Sequence, residues 1–342
     1  MAQHNTQLKK RWQKLVEEKP KTRIRDAAQI LNVSEMELLV TDIPQNVLQL
    51  QGDFKALMQR LTGVGKVMSL VRNEIAVHEL SGIYPNLVFN QNPHIGVAMN
   101  SIDLKIHFNE YCYAFAVKTP QGKNELRSIQ FFDSNGQALQ KIYLKNQEHI
   151  ETWEEIIDNF VDKNQATDFE LIKAESGSKS FANIDVNKFR KDWENMLDVH
   201  DLQSIIANYE ISRHEAISIV GEPHARLVKT DAINRLIENV FELQLSCMVF
   251  VGNKGATQIY SGGFKKIAEM GEWMNVLDPN FNLHVLNNAV NDVWITKKPT
   301  KHGIVTSMEV YDVNGKLCLQ FSPENNAEKQ ESLQWRALLE QL

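Results

Sequence analysis

Two side chains in the stretch 186–221, VNKFRKDWENMLDVHDLQSIIANYEISRHEAISIVG, have the type and setting for ligand chemistry. His200 offers an imidazole and Arg213 a guanidinium. The pattern predicts one amphipathic helix, a break at Glu210-Ile211 and a second, shorter helix. On the first helix Val199, Leu202, Ile205, Ile206 and Tyr209 recur at spacings of three and four, the mark of a core-facing stripe. His200 lies off that stripe. Its same-face neighbours are Gln203, Ser204 and Ala207, small enough to let a flat ligand approach the ring. The second helix opens on a capping box, Ser212 with Glu215 three positions on. Arg213 then takes the first helical position, where a carboxylate meets both a guanidinium and free backbone N–H groups. A lone histidine on a helix is more often a satisfied polar residue, and an arginine at a helix start is more often solvated. Spacing alone therefore defines no ligand site.

The elements that must position these two residues come from a doubled chain. Ser34-x-x-Glu37 returns as Ser212-x-x-Glu215 at an offset of 178, and Asp53 returns at Asp231. At an offset of 180, Met68, Val71, Asn73, Ala76, Ser81 and Gly82 match Met248, Val251, Asn253, Ala256, Ser261 and Gly262. That is six identities in the fifteen positions 68–82, where unrelated sequences would give about one. At 179, Leu104 matches Leu283, Phe115 faces Trp294, Lys118 matches Lys297, and Asp133-x-Asn135-Gly136 returns as Asp312-x-Asn314-Gly315. Each copy runs helices first, then strands. The fold class that follows is α+β with an internal duplication, each half being helices packed on a large antiparallel sheet. Residues 1–172 form the first repeat, the Ser-rich 173–185 a linker, and 186–342 the second repeat. His200 faces Thr22 and Arg213 faces Glu35 across the repeat, so the molecule should hold one site, not two.

Within the first repeat, helices are expected at 7–19, 24–32 (Ala27, Ala28, Ile30 and Leu31 inward), 34–40, 53–62 and 149–163. Strands are expected at 67–71, 75–78, 87–90, 96–99, 103–108, 113–118 and 127–132. Asn135-Gly136 should close a hairpin through positive φ angles. Alternation along 103–108 puts Lys105 and His107 on one face.

The net charge of −6 over 342 residues argues against a general nucleic-acid or anionic-membrane surface. No apolar run approaches the length of a transmembrane helix, and the first twenty residues contain no apolar signal core. The three isolated cysteines, Cys112, Cys247 and Cys318, suit a reducing compartment, so a cytoplasmic location is expected. Residues 25–34 have the pattern of a helix-turn-helix. The acidic chain has no basic stripe beside it, which favours a packed helical hairpin over a DNA-associated regulator. His214 is expected to be solvated beside Arg213, and His224 sits in a loop after Pro223. Gly63-Val64-Gly65-Lys66 lacks the spacing and the Ser/Thr of a phosphate loop.

The sequence resembles the HemS/ChuS/HmuS-type family of bacterial haem-utilisation proteins, also called haemin-degrading factors, over nearly its whole length. The residues that carry the resemblance are Asp198-Val199-His200 and Ile211-Ser212-Arg213, with Arg72-Asn73-Glu74, His78-Glu79, Ser81-Gly82, Ile102-Asp103-Leu104 and Gln130-Phe131-Phe132-Asp133 in the first repeat. In the second they are Leu277-Asp278-Pro279, Phe281-Asn282-Leu283-His284 and Lys298-Pro299-Thr300. The resemblance implies two large stacked antiparallel sheets and one haem, held by the second repeat with the first on its distal side. It implies that His200 is the axial iron ligand, that Arg213 lies near a propionate, and that Lys298 is a further basic contact. The family's distal arginine falls at Lys105, which keeps the charge but not the planar fork, and His107 stands where an aromatic residue is common. The implied function is binding of imported haem in iron acquisition, followed by reductant- and oxygen- or peroxide-dependent degradation, or by handover as a non-catalytic chaperone. The implied partners are an inner-membrane haem importer, an electron donor and a haem acceptor. An axial imidazole that leaves the opposite iron face open suits either outcome.

Overall fold

A computed structural model gives the structure of residues 2–89, 91–99, 101–122, 124–167, 169–172, 184–324 and 330–342, with side chains from residue 5 onward. The described residues form two antiparallel nine-stranded sheets, and the chain divides into two compact units. One unit comprises Met1–Val71, Leu80–Ser176 and Asn253–Thr257, the other Arg72–Glu79, Gly177–Gly252 and Gln258–Leu342. The Ser-rich stretch expected as a linker, 173–185, lies outside the described residues except for Ile184 and Asp185.

The elements of residues 1–172 are α1 (Ala2–Glu18), α2 (Ile24–Leu31), α3 (Glu35–Val40), β1 (Val47–Leu50), α4 (Phe54–Arg60), β2 (Lys66–Arg72), β3 (Ala76–Ile83), β4 (Val88–Phe89), β5 (Ile95–Ala98), β6 (Asp103–His107), β7 (Tyr113–Gln121), β8 (Asn124–Phe132), β9 (Ala138–Leu144) and α5 (Ile150–Phe160). Those of 186–342 are α6 (Val186–Glu194), α7 (Asp201–Tyr209), α8 (Arg213–Val220), β10 (Ala225–Val228), α9 (Ala232–Glu242), β11 (Cys247–Gly252), β12 (Ala256–Gly262), β13 (Ile267–Met270), β14 (Trp273–Leu277), β15 (Phe281–Leu286), β16 (Asp292–Thr300), β17 (Gly303–Tyr311), β18 (Leu317–Pro323) and α10 (Leu333–Gln341).

The duplication is visible in the strand order. The first unit runs β1-β7-β8-β9-β2, and the second runs β10-β16-β17-β18-β11. The short runs β6-β5-β4 and β15-β14-β13 match in the same way. Register repeats too. Phe115 pairs with Gln130 and Gln130 with Lys141, as Trp294 pairs with Glu309 and Glu309 with Gln320. Each long sheet carries a bulge at the same place, between Phe131 and Phe132 and between Val310 and Tyr311.

Local chemistry explains the helix starts. Ser34 and Ser212 each accept the backbone N–H three residues on, and Glu37 and Glu215 reach back to the cap N–H groups, so both expected capping boxes form. In the first unit α3 packs Met36, Leu39 and Val40 against Phe115, Val117 and Phe132 of the sheet. In the second, α6, α7 and α8 gather Phe189, Trp193, Leu202, Ala216, Ile217 and Val220 around Tyr311. A fully buried aromatic or aliphatic side chain of this kind contributes about 1.5–3 kcal/mol.

Four expectations are corrected. The single helix read from Val186 onward is two, α6 and α7, because the Asp201 carboxylate accepts the N–H groups of Leu197 and Asp198, both at 2.9 Å, and turns the chain there. Ile30 is 53% exposed, since α2 buries Ala27 and Ala28 against Leu8, Leu15 and Leu38 instead. At the 133–137 hairpin only Gly136 has positive φ, +74°. The Asp133 carboxylate, accepting from the N–H groups of Asn135 and Gln137, makes the rest of that turn. His214 is not solvated: its Nε2 lies 2.8 Å from Asp292 Oδ2 and its ring centre 4.8 Å from that of Tyr311. The helical hairpin expected from residues 25–34 is present, built from α2 and α3. Its second helix buries Glu35, Met36, Leu38, Leu39 and Val40, so α3 has no row of side chains to lay in a DNA groove.

Candidate haem-binding site

In the second unit the segment 195–200 delivers His200 to the residue before α7. Its backbone N–H donates to Asp198 Oδ1 at 2.9 Å and its carbonyl accepts from Gln203 N–H at 3.1 Å, so the main chain is fixed on both sides. The side chain is exposed, and its ring makes no hydrogen bond with any described residue. Gln203, Ser204 and Ala207 are exposed with it, while Leu202 is buried and Ile205, Ile206 and Tyr209 pack on the core. An imidazole left without a protein partner keeps both nitrogens for a ligand.

Arg213 opens α8, as expected, but its guanidinium turns inward. Nε and Nη2 donate to Glu309 Oε2 and Oε1 at 2.8 and 2.9 Å, and Nη2 also lies 3.3 Å from Gln320 Oε1. Glu309 sits mid-strand on β17, wholly buried. It also accepts from the Tyr311 hydroxyl at 2.7 Å, from the Thr296 hydroxyl at 3.1 Å and from the Lys298 ammonium. Lys298 is 2% exposed on β16 and also donates to Thr296 Oγ1 at 2.9 Å.

Burial sets the proton affinities, and the charges then decide them. Desolvation would raise the Glu309 pKa, but Arg213 and Lys298 hold it well below the carboxylate range. Desolvation pushes Lys298 down to about 8 against the pull of Glu309. It also works against the Arg213 charge, yet Glu309 outweighs it and keeps the guanidinium above its ordinary value. Tyr311 is raised by burial and by the neighbouring Glu309. With both cations charged, the cluster carries one net positive charge, which an incoming carboxylate would neutralise. The donor set therefore fits an iron porphyrin acid: one unengaged imidazole for the metal and one cation for a carboxylate.

In the first unit Lys105 and His107 are half-buried on one face of β6, with Leu104 and Ile106 buried on the other. His107 donates its backbone N–H to Gly255 O at 2.8 Å. Burial and then the Lys105 charge lower its ring pKa, with Glu110 opposing. The residue that sequence reading missed is Glu309, with its donors Thr296 and Tyr311. Its signal was a carboxylate inside the otherwise uncharged run Gly303–Tyr311, on a strand buried over most of its length.

Fold and donor set together define a duplicated α+β protein of haem metabolism. The chain matches the haemin-degrading HemS/ChuX domain over residues 32–160 and again over 210–342. It belongs to that family. His200 falls between the two matched segments. Relatives include a hemin transport protein, HmuS of Yersinia pestis, 32% identical over 328 residues, which span 95% of this chain and 94% of the relative. Holo-PhuS of Pseudomonas aeruginosa, a heme-binding protein, superposes with a TM-score of 0.93 at 31% identity, covering 98% of both chains. The heme-degrading enzyme ChuS of Escherichia coli O157:H7 gives 0.90 at 30% identity, covering 99% of both. Among the described residues no helix is long and apolar enough to cross a membrane.

Proposed function

We propose that this chain takes haem as its substrate in bacterial iron acquisition, holds the iron through His200, and opens the ring to release the metal. The observation that carries the reading is the His200 ring, exposed and unengaged on a main chain fixed by Asp198 and Gln203. Arg213 binds a propionate through the part of its guanidinium that Glu309 leaves unengaged. Ring opening takes electrons from an external donor and oxygen atoms from dioxygen or peroxide. The protein works in the cytoplasm beside an inner-membrane haem importer, a setting consistent with its three free cysteines.

Handover of intact haem to a separate acceptor is the second reading. The exposure of His200 favours it, because a partner protein can reach an exposed ligand. One experiment separates the two. The haem complex is given ascorbate or a reductase in air, and the Soret band and chelatable iron are followed. Loss of the band with iron release supports degradation. A stable band that moves to an apo-acceptor on mixing supports handover. No complex at all with haemin contradicts both.

A further inference from the structure

We infer that Glu309 is a positioning residue that aims Arg213 at the ligand carboxylate, with Lys298 acting behind it. The inference rests on the haem reading above and deepens it. Five donor contacts, from Arg213 Nε and Nη2, Lys298 Nζ, Thr296 Oγ1 and Tyr311 OH, meet on the two Glu309 oxygens. A carboxylate has about four lone-pair sites, so Glu309 has no capacity left for a ligand. Lys298, 2% exposed and bonded to Glu309 and Thr296, has no path to a ligand either. In this inference it acts through Glu309, rather than as the further basic contact that the resemblance implies. Its ammonium offsets the Glu309 charge inside the unit.

Of the three charged members only Arg213 keeps appreciable exposed surface, 28% of its side chain. Glu309 grips the Nε–Nη2 edge, and that choice leaves the Nη1 end of the fork unengaged by Glu309. A planar fork held along one edge has its other edge fixed in direction. Lys298 and Glu309 are buried and Arg213 is partly exposed, so the chain of ion pairs ends on its one partly exposed member. The last member meets the ligand and the first two set its orientation. An unclamped arginine would have to give up rotamer freedom on binding, and the clamp removes that cost in advance.

The test compares haemin with its dimethyl ester, which has the same ring and iron but no carboxylates. Dissociation constants for both are measured by absorbance on the full chain and on Arg213→Ala, Glu309→Gln and Glu309→Asp, with circular dichroism to check folding. The ratio of the two constants cancels any general damage to the pocket. Wild type should prefer haemin by about tenfold, the worth of a charge-assisted pair, and Arg213→Ala should bring the ratio near one. Glu309→Asp keeps the buried charge, and so the fold, but withdraws the carboxylate by one C–C bond. Under the inference both Glu309 variants lose most of the preference. A merely electrostatic role predicts the opposite for Glu309→Gln, because removing an anion makes the site more positive. An unchanged ratio in Glu309→Asp, or a raised one in Glu309→Gln, overturns the inference. A ratio untouched by Arg213→Ala overturns the propionate assignment itself, and absence of a haemin complex overturns the haem reading.

Discussion

The same place in the two repeats is built from opposite materials. In the first unit the row Phe115–Gln130–Lys141 crosses β7, β8 and β9, with Met36, Val117 and Phe132 packed as an apolar core beside it. In the second the matching row is Trp294–Glu309–Gln320, and the positions of Met36, Val117 and Phe132 are held by His214, Thr296 and Tyr311. The helix start above each row is charged, with the sign reversed. Glu35 pairs with Lys141 in the first unit, and Arg213 pairs with Glu309 in the second. The first is one cation with one anion. The second is two cations on one anion, with a surplus positive charge. Buried ion pairs are seldom more stable than well-packed apolar groups of equal volume, and an uneven set is worse. The first unit shows that the positions of His214, Thr296 and Tyr311 can be filled with apolar side chains. The polar filling of the second unit is therefore not required by the fold, which accords with the ligand-binding role proposed for it.

The largest effect that would break this comparison is a loss of the shared anion. Glu309→Ala should lower the unfolding free energy by about 3–5 kcal/mol, because the buried Lys298 and the partly exposed Arg213 lose their shared anion. Its counterpart Gln130→Ala loses a hydrogen bond to Ser128 and should cost about 1 kcal/mol. Urea unfolding of both variants gives the difference, and equal losses would remove the contrast between the repeats.

The aromatic pair comes next. Phe115→Ala should cost about 3 kcal/mol from the buried apolar core. Trp294→Phe should change stability by less than about 1 kcal/mol, since the indole N–H has no hydrogen-bond partner among the described residues.

Acid sharpens the comparison further. Glu309 is held far below its ordinary value of 4.5 in the folded state, so the unfolded chain takes up its proton first. Its contribution is full above about 4.5 and falls as pH drops below that value. A pH series of unfolding curves should show the slope in wild type and a weaker one in Glu309→Gln. The smallest effect is shared by both repeats. Ser34→Ala and Ser212→Ala each remove one capping box and should each cost about 1 kcal/mol in thermal or urea unfolding.

What the chain disclosed in advance was what neighbours in sequence decide. The capping boxes at Ser34 and Ser212 and the alternation at Lys105 and His107 need only three to five residues of context, and all are present. The duplication showed because offsets of 178–180 persist over many elements. Arg213 was placed on the right helix position for a ligand carboxylate, but its protein partner was not foreseen, since Glu309 lies 96 residues further on. His214 failed for the same reason, its partners Asp292, Trp294 and Tyr311 all arriving from distant strands. The turn before α7 had a readable sign in Asp198 and Asp201, but it sits within an otherwise helical pattern that has no Gly or Pro. Strand pairing brings the members of the polar cluster together, and no local window contains it.

The most direct test is an absorption titration of haemin into wild type, His200→Ala and Thr22→Ala, the last being the matching position in the first repeat. Wild type and Thr22→Ala should give the same saturable Soret band. His200→Ala should bind more weakly or show a different ligation spectrum. Identical bands and affinities for all three would contradict iron ligation by His200, and with it the account of the second repeat as the one built for haem.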